Sequence, residues 1–173
     1  MYSMLVPLVI ILFQIEQMGF GALVTQARKK HGIPYPTMYA VPGTKRYYDD
    51  AMREEKKKDP KTGEKKEDKK DEFDKYISDK EAYSFNLIQR GHQNMIENAP
   101  FFLALLLVAW PYPLFAGIAG LAYLIGRALY MYGYTRGPSS RMYGAAFIYP
   151  SLLALIALSG MSVWNVVNGI GPH

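Results

Sequence analysis

The chain has 173 residues, no cysteine, 14 tyrosines and an apolar share of 50%. That length allows one domain or one small membrane bundle, and the missing cysteines exclude a disulfide framework, thiolate metal ligation and a cysteine nucleophile. The formal net charge is +5 and the mean hydropathy is −0.07, but both values average over two unlike populations. Residues 45–81 hold 13 basic and 13 acidic side chains, while the other 136 residues hold seven basic ones and two acidic ones, Glu16 and Glu97. The basic-looking stretch is therefore neutral and the remainder reads as membrane, which excludes nucleic acid as a partner.

Four apolar stretches follow in chain order, at about 2–26, 85–110, 114–134 and 143–167. Each has roughly 20 residues or more, enough for a helix to cross a hydrocarbon core of ~30 Å. The opening MYSMLVPLVIILF has no basic region ahead of it and no A-x-A cleavage site, so it predicts a retained helix rather than a signal peptide. Glu16, between Gln14 and Gln17, predicts a hydrogen bond between helices. The second stretch is divided: FNLIQRGHQNMIENAP is polar and FFLALLLVAW is wholly apolar. Together the stretches predict an all-α integral membrane four-helix bundle, one domain over residues 1–173. The segment 45–81 is a charged insertion in its first loop, with Pro60 and Gly63 near the middle. Its composition predicts a solvated, partly helical or disordered loop. The functional alternative is a docking surface for another protein or for lipid headgroups.

Orientation follows from Lys and Arg. Arg28, Lys29 and Lys30 close the first helix, and Arg136 and Arg141 lie between the third and fourth. The 1–2 and 3–4 loops are thus expected on the positive-inside face, with both termini opposite.

Ionisable residues at membrane depth are the strongest functional pointers, because an unpaired charge in lipid is costly. Arg90, Asn94 and Glu97 stand at i, i+4 and i+7 of the second helix, and Arg127, Tyr130 and Tyr134 at i, i+3 and i+7 of the third. Each set shares one helical face, and Arg127 lies ~14 Å below Arg136 at the α-helical rise. Arg28 ends the first helix. These residues make a cationic pocket with one carboxylate, one amide and two phenols. Such a pocket suits a small anion that also carries an amine: arginines take its carboxylates and Glu97 its ammonium. A tripeptide such as glutathione fits, with a lipophilic second substrate presented by the bilayer. His31, His92 and His173 are scattered, so no metal site is expected. Alternatives stand beside each reading. Arg90 and Glu97 can form a bridge that fixes helix packing, the tyrosines can be packing or an interfacial belt, and Arg28-Lys29-Lys30 can be purely topogenic.

Arg28-Lys29-Lys30 with YPTMYA soon after, then FNLIQRGHQNMIENAPFF, then GLAYLIGRALYMYGYTRGPSSR, resemble the membrane-associated proteins in eicosanoid and glutathione metabolism, and within that family the type 3 microsomal glutathione transferases. The resemblance covers residues 24–42 and 85–147. It implies four-helix membrane proteins that assemble as trimers and hold glutathione, as co-substrate, between neighbouring subunits near the cytosolic side. It implies that Arg28 contacts glutathione or activates its thiol. Arg90, Asn94, Glu97, Arg127, Tyr130 and Tyr134 would bind the tripeptide. Arg141 would stabilise the thiolate, with Arg136 as competitor because the loop varies in length. Asn98 stands where some members carry a glutathione-contacting tyrosine, and the 45–81 insertion is foreign to the compact family loop.

The expected function is a membrane glutathione transferase or peroxidase, acting on lipophilic electrophiles or lipid hydroperoxides in an endoplasmic reticulum or mitochondrial membrane. The alternative is a non-catalytic accessory or structural subunit of a larger membrane complex, respiratory and mitochondrial, docked through residues 45–81. A homotrimer goes with the first reading and a hetero-complex with the second.

Overall fold

Proline and glycine set the helix boundaries in the second half of the chain. Pro113 stands in the first turn of a helix that runs Pro113–Arg136, where its missing N–H costs nothing. Gly137, at φ 144°, ends that helix and donates its N–H to Gly133 O at 3.0 Å. A 3-10 turn, Pro138–Arg141, then leads into the last helix, Met142–Val167. The first helix spans Leu5–His31, with Arg28, Lys29, Lys30 and His31 in its last turn, where cations complement the helix dipole. In chain order the helices are α1 (Leu5–His31), α2 (Asp79–Val108), α3 (Pro113–Arg136) and α4 (Met142–Val167).

This computed structural model describes residues 4–46 and 76–170. Most of the charged insertion, 47–75, lies outside the described residues, as do the chain's ends, 1–3 and 171–173. The docking role expected of the insertion therefore falls largely outside them too. Apart from one antiparallel bridge between Lys45 and Tyr76, the regular structure among the described residues is helical.

Among the described residues, three helical segments are long and apolar enough to cross a membrane: Leu5–His31, Pro113–Arg136 and Ser139–Val167. α2 has 30 residues, but its polar first half keeps it out of that class. Its start also differs from the expected 85. Ser78 and Glu81 form a capping box: Glu81 N–H donates to Ser78 Oγ at 3.4 Å, and Ser78 N–H donates to Glu81 Oε2 at 3.1 Å. Two otherwise orphaned donors are thereby satisfied, and α2 begins at Asp79.

The chain forms two compact units, one of Met1–Ala22 with Arg90–His173 and the other of Leu23–Gln89. In the first, Val6, Val9, Phe13, Phe102, Leu106, Tyr123 and Leu155 form a fully buried core. The Phe102 ring stacks on Tyr123 at 4.0 Å and meets Phe13 at 5.1 Å, so three helices close on one aromatic column. Gly144 lets α4 touch α3, since a Cβ there would collide with the backbone N of Tyr130 and the carbonyl of Gly126. Ser159 Oγ donates to Leu105 O at 3.0 Å, and Asn165 Nδ2 donates to Tyr112 Oη at 2.8 Å. Outward faces carry exposed Ile11, Ile15, Phe115, Ile118, Leu153 and Trp164, as expected of helices solvated by lipid.

The second unit packs Val24, Ala27, Ile33, Ala40, Ile77, Ala82 and Phe85 into its own small core. Asn86 holds the loop on both sides of Ala40, accepting from its N–H at 2.7 Å and donating to its C=O at 2.9 Å. The two feet of the insertion are tied as well. Gly43 N–H donates to Ile77 O at 2.8 Å, and Ile77 N–H donates to Thr44 O at 2.9 Å. Arg46 donates to Tyr76 O at 3.0 Å and forks onto both oxygens of Glu81. Burial alone would push the Glu81 carboxyl up. The hydrogen bonds from Arg46 and Ser78 outweigh it and hold that carboxyl at about 2.

Candidate functional site

A single stripe of α3 carries Tyr123, Arg127, Tyr130 and Tyr134, spaced 4, 3 and 4 residues apart, so their side chains leave the helix on one face. At the deep end Arg127 is only 3% exposed. Its Nη1 donates to Asn94 Oδ1 of α2 at 2.9 Å. Its guanidinium carbon lies 5.9 Å from the Tyr123 ring centre and 5.4 Å from that of Tyr130, within cation–π range of both. A buried cation is thus held by one amide and two ring faces.

Further along the stripe, Tyr130 and Tyr134 meet edge to face at 5.2 Å. Arg141 Nη1 donates to Tyr134 Oη at 2.8 Å, and its guanidinium carbon lies 5.4 Å from the same ring. The local fold explains why Arg141 arrives here. Gly137 stops α3, the 3-10 turn folds the chain back, and Gly133 receives it: a Cβ on Gly133 would stand 2.5 Å from Ser140 O. Arg136, the competitor for this place, instead lies over the Tyr132 ring at 4.3 Å. The result is a continuous chain of contacts, Asn94, Arg127, Tyr130, Tyr134 and Arg141, all within the first unit.

The other expected residues are placed as follows. Arg90 and Glu97 of α2 are exposed, and Glu97 Oε1 accepts from Gln93 Nε2 at 3.1 Å. Between them on α2, Gly91 lies against Tyr134 and Met131, close enough that a Cβ there would stand 2.5 Å from Met131 Sδ. Asn98 turns its amide back on its own helix, donating to Asn94 O at 2.7 Å. Arg28 belongs to the second unit and is 8% exposed. There its Nη1 donates to Pro34 O at 3.1 Å, with the Tyr35 and Phe85 rings at 4.4 and 5.2 Å.

Two participants were not singled out from sequence as part of this group. Tyr123 stands one turn before Arg127 on the same stripe, and the four-residue spacing was the available signal. Glu16 was expected to hydrogen-bond between helices. Instead both its carboxylate oxygens are buried without a hydrogen-bond partner, as are Tyr123 Oη and Arg127 Nε.

Residues 6–164 match the family model described as the MAPEG family. With three helices of spanning length and composition, the chain is an integral membrane protein of the general class concerned with glutathione or eicosanoid metabolism.

Proposed function

The chain belongs to the MAPEG family, and we propose that it is a membrane glutathione transferase or peroxidase in which Arg141 activates the glutathione thiol. The observation that carries this reading is the contact chain from Asn94 to Arg141, above all the 2.8 Å bond from Arg141 to Tyr134 Oη. Because Tyr134 Oη accepts from Arg141, its own hydrogen stays available to a sulfur. A cation and a phenolic O–H side by side are what a thiolate needs. A free thiol has a pKa of about 8.5, and adjacent positive charge lowers it.

The proposal gives Arg90 the tripeptide's carboxylates and Glu97 its ammonium, both side chains being exposed on one face of α2. Arg127 and Asn94 are engaged with each other. They act beneath Tyr130 and keep its ring in place against Tyr134. The thiolate then attacks an electrophilic carbon, and the leaving group departs with its electron pair to leave a thioether. With a lipid hydroperoxide the thiolate attacks the terminal oxygen and the O–O bond breaks. The alkoxide takes a proton to become the alcohol, and a second glutathione reduces the resulting sulfenic acid, giving glutathione disulfide and water.

The family resemblance extends the proposal. The chain resembles the type 3 microsomal branch, forms a homotrimer with the site shared between subunits, and takes its lipophilic substrate from the bilayer. It sits in an endoplasmic reticulum or mitochondrial membrane with the 1–2 and 3–4 loops on the positive-inside face. Arg28 is the second candidate for thiol activation.

The test is a titration of glutathione into the detergent-purified protein, read on the ultraviolet band of the bound thiolate. We expect a saturable signal that Arg141→Ala abolishes near neutral pH while affinity largely persists. Arg90→Ala or Glu97→Ala should weaken binding itself, and the same titration of Arg28→Ala separates its part from that of Arg141. An undiminished thiolate signal in Arg141→Ala overturns the assignment. Absence of binding in a protein that copurifies with many foreign chains would make it an accessory subunit.

A further inference from the structure

Glu16 is one of two carboxylates outside the charged insertion, and the reading of the site leaves it unused. It sits mid-way along α1, a helix of spanning length, in the first unit with Tyr123 and Arg127. Phe13, one turn before Glu16 on α1, meets Phe102 at 5.1 Å, Phe102 stacks on Tyr123 at 4.0 Å, and the Arg127 guanidinium carbon lies 5.9 Å from that Tyr123 ring. Yet Glu16 and Arg127 make no ion pair within 4.0 Å, and four polar atoms here are buried without a hydrogen-bond partner: both Glu16 carboxylate oxygens, Tyr123 Oη and Arg127 Nε. Tyr123 is fully buried and Arg127 is 3% exposed. Leaving such groups unsatisfied is costly, and most so for charges.

We infer that Glu16, Tyr123 and Arg127 form an internal hydration site, in which bound water bridges the Glu16 carboxylate to the Arg127 guanidinium and the Tyr123 hydroxyl. The donor set selects the ligand. A cation would be repelled by Arg127, and an anion would be left against the Glu16 carboxyl oxygens. A small neutral molecule that both donates and accepts serves all four atoms. Water meets this requirement, and a buried water typically makes about three hydrogen bonds to such groups. Two hydrogens go to the carboxylate oxygens, while lone pairs take Arg127 Nε–H and Tyr123 O–H. Tyr123 joins the site to the Phe13–Phe102–Tyr123 column. Polar groups too far apart to touch are thereby joined through solvent, and α1 is tied to α3 at the depth of Arg127. The inference stands whether or not the chain binds glutathione.

Hydroxyl-radical footprinting by water radiolysis tests it on the full-length protein in lipid nanodiscs, because radicals born from a bound water mark the side chain that holds it. We expect Tyr123 to be oxidised at a rate comparable with exposed Tyr132, while equally buried Phe102 stays unmodified. Glu16→Leu should cut Tyr123 labelling at least several-fold, and Glu16→Gln, which keeps hydrogen-bonding capacity, should retain it. If Glu16→Leu does not fold, the comparison of Tyr123 with Phe102 in the parent and in Glu16→Gln still decides. Tyr123 as protected as Phe102, or labelled equally in a folded Glu16→Leu, overturns the inference.

Discussion

Replacing Glu81 by Gln should loosen the neck of the charged insertion. Glu81 accepts from both terminal nitrogens of Arg46, from Ser78 N–H at 3.1 Å and from Ser78 Oγ at 2.6 Å. These bonds hold its carboxyl at about 2 against an ordinary 4.5. At about 1.4 kcal/mol per pKa unit that gap corresponds to ~3.4 kcal/mol. The side chain is 29% exposed, so solvent screens part of it, and about 1–2 kcal/mol is the expected loss in Glu81→Gln. The sign of the pH dependence follows from the depressed pKa. Between pH 4.5 and 2 the unfolded carboxyl binds more protons than the folded one. The stabilisation is therefore complete above about pH 4.5 and lost as pH falls toward 2. Amide hydrogen exchange at Gly43 and Ile77, whose N–H groups bond across the neck, is the assay. Protection should fall roughly 5–30-fold in Glu81→Gln. Between pH 5 and 3, after correction for intrinsic exchange, it should decline in the parent and stay flat in the variant. Unchanged protection in Glu81→Gln, or the same acid dependence in both proteins, would refute the reasoning.

Substitutions at three positions probe the first unit. Asn94→Leu removes the acceptor on Arg127 Nη1 and leaves a buried guanidinium short of a partner, so thermal unfolding in detergent should show a loss of about 3–5 kcal/mol; Asn94→Asp, which keeps the acceptor, should lose much less. Gly144→Ala places a methyl against the backbone of Tyr130 and Gly126 and should cost about 1–3 kcal/mol as α3 and α4 part. Gly160→Ala, on the same helix with nothing within 4 Å, should be neutral or slightly stabilising by the same measurement.

What could be read from sequence was what is local. The i, i+3, i+7 stripe of Arg127, Tyr130 and Tyr134 needs only helix geometry, and the helix around it is bounded by Pro113 and Gly137. The ends of α1 and α2 were less legible. Apolar runs place the first helix end near 26 and the second helix start near 85, whereas the helices run to His31 and from Asp79. In both places charged residues extend a helix beyond its apolar part. Arg28 to His31 do so through the helix dipole, and Ser78 with Glu81 through a capping box written inside the charged run. The pairing of Arg127 with Asn94 was not legible at all. It depends on the register of two helices that brings together residues 33 apart in sequence, and spacing carries no information about that. The choice between Arg136 and Arg141 likewise rested on a loop, and the 3-10 turn gives Tyr134 Oη to Arg141.

A deep arginine must be accounted for by its surroundings, and Arg127 shows how the cost is shared. No single group neutralises it: an amide oxygen takes one N–H and two aromatic faces flank the guanidinium. Buried pairs contribute little to net stability, but removing one partner is expensive. A cation placed this way therefore acts as a constraint: it fixes α2 and α3 at one depth. From there the stripe climbs ~10 Å over seven residues to Tyr134, and its character changes from buried and charged to hydroxylic and accessible to Arg141. The reactive end proposed here is thus positioned from below by a residue that need not touch the substrate. That is why Asn94 matters to a site whose proposed chemistry belongs to Tyr134 and Arg141.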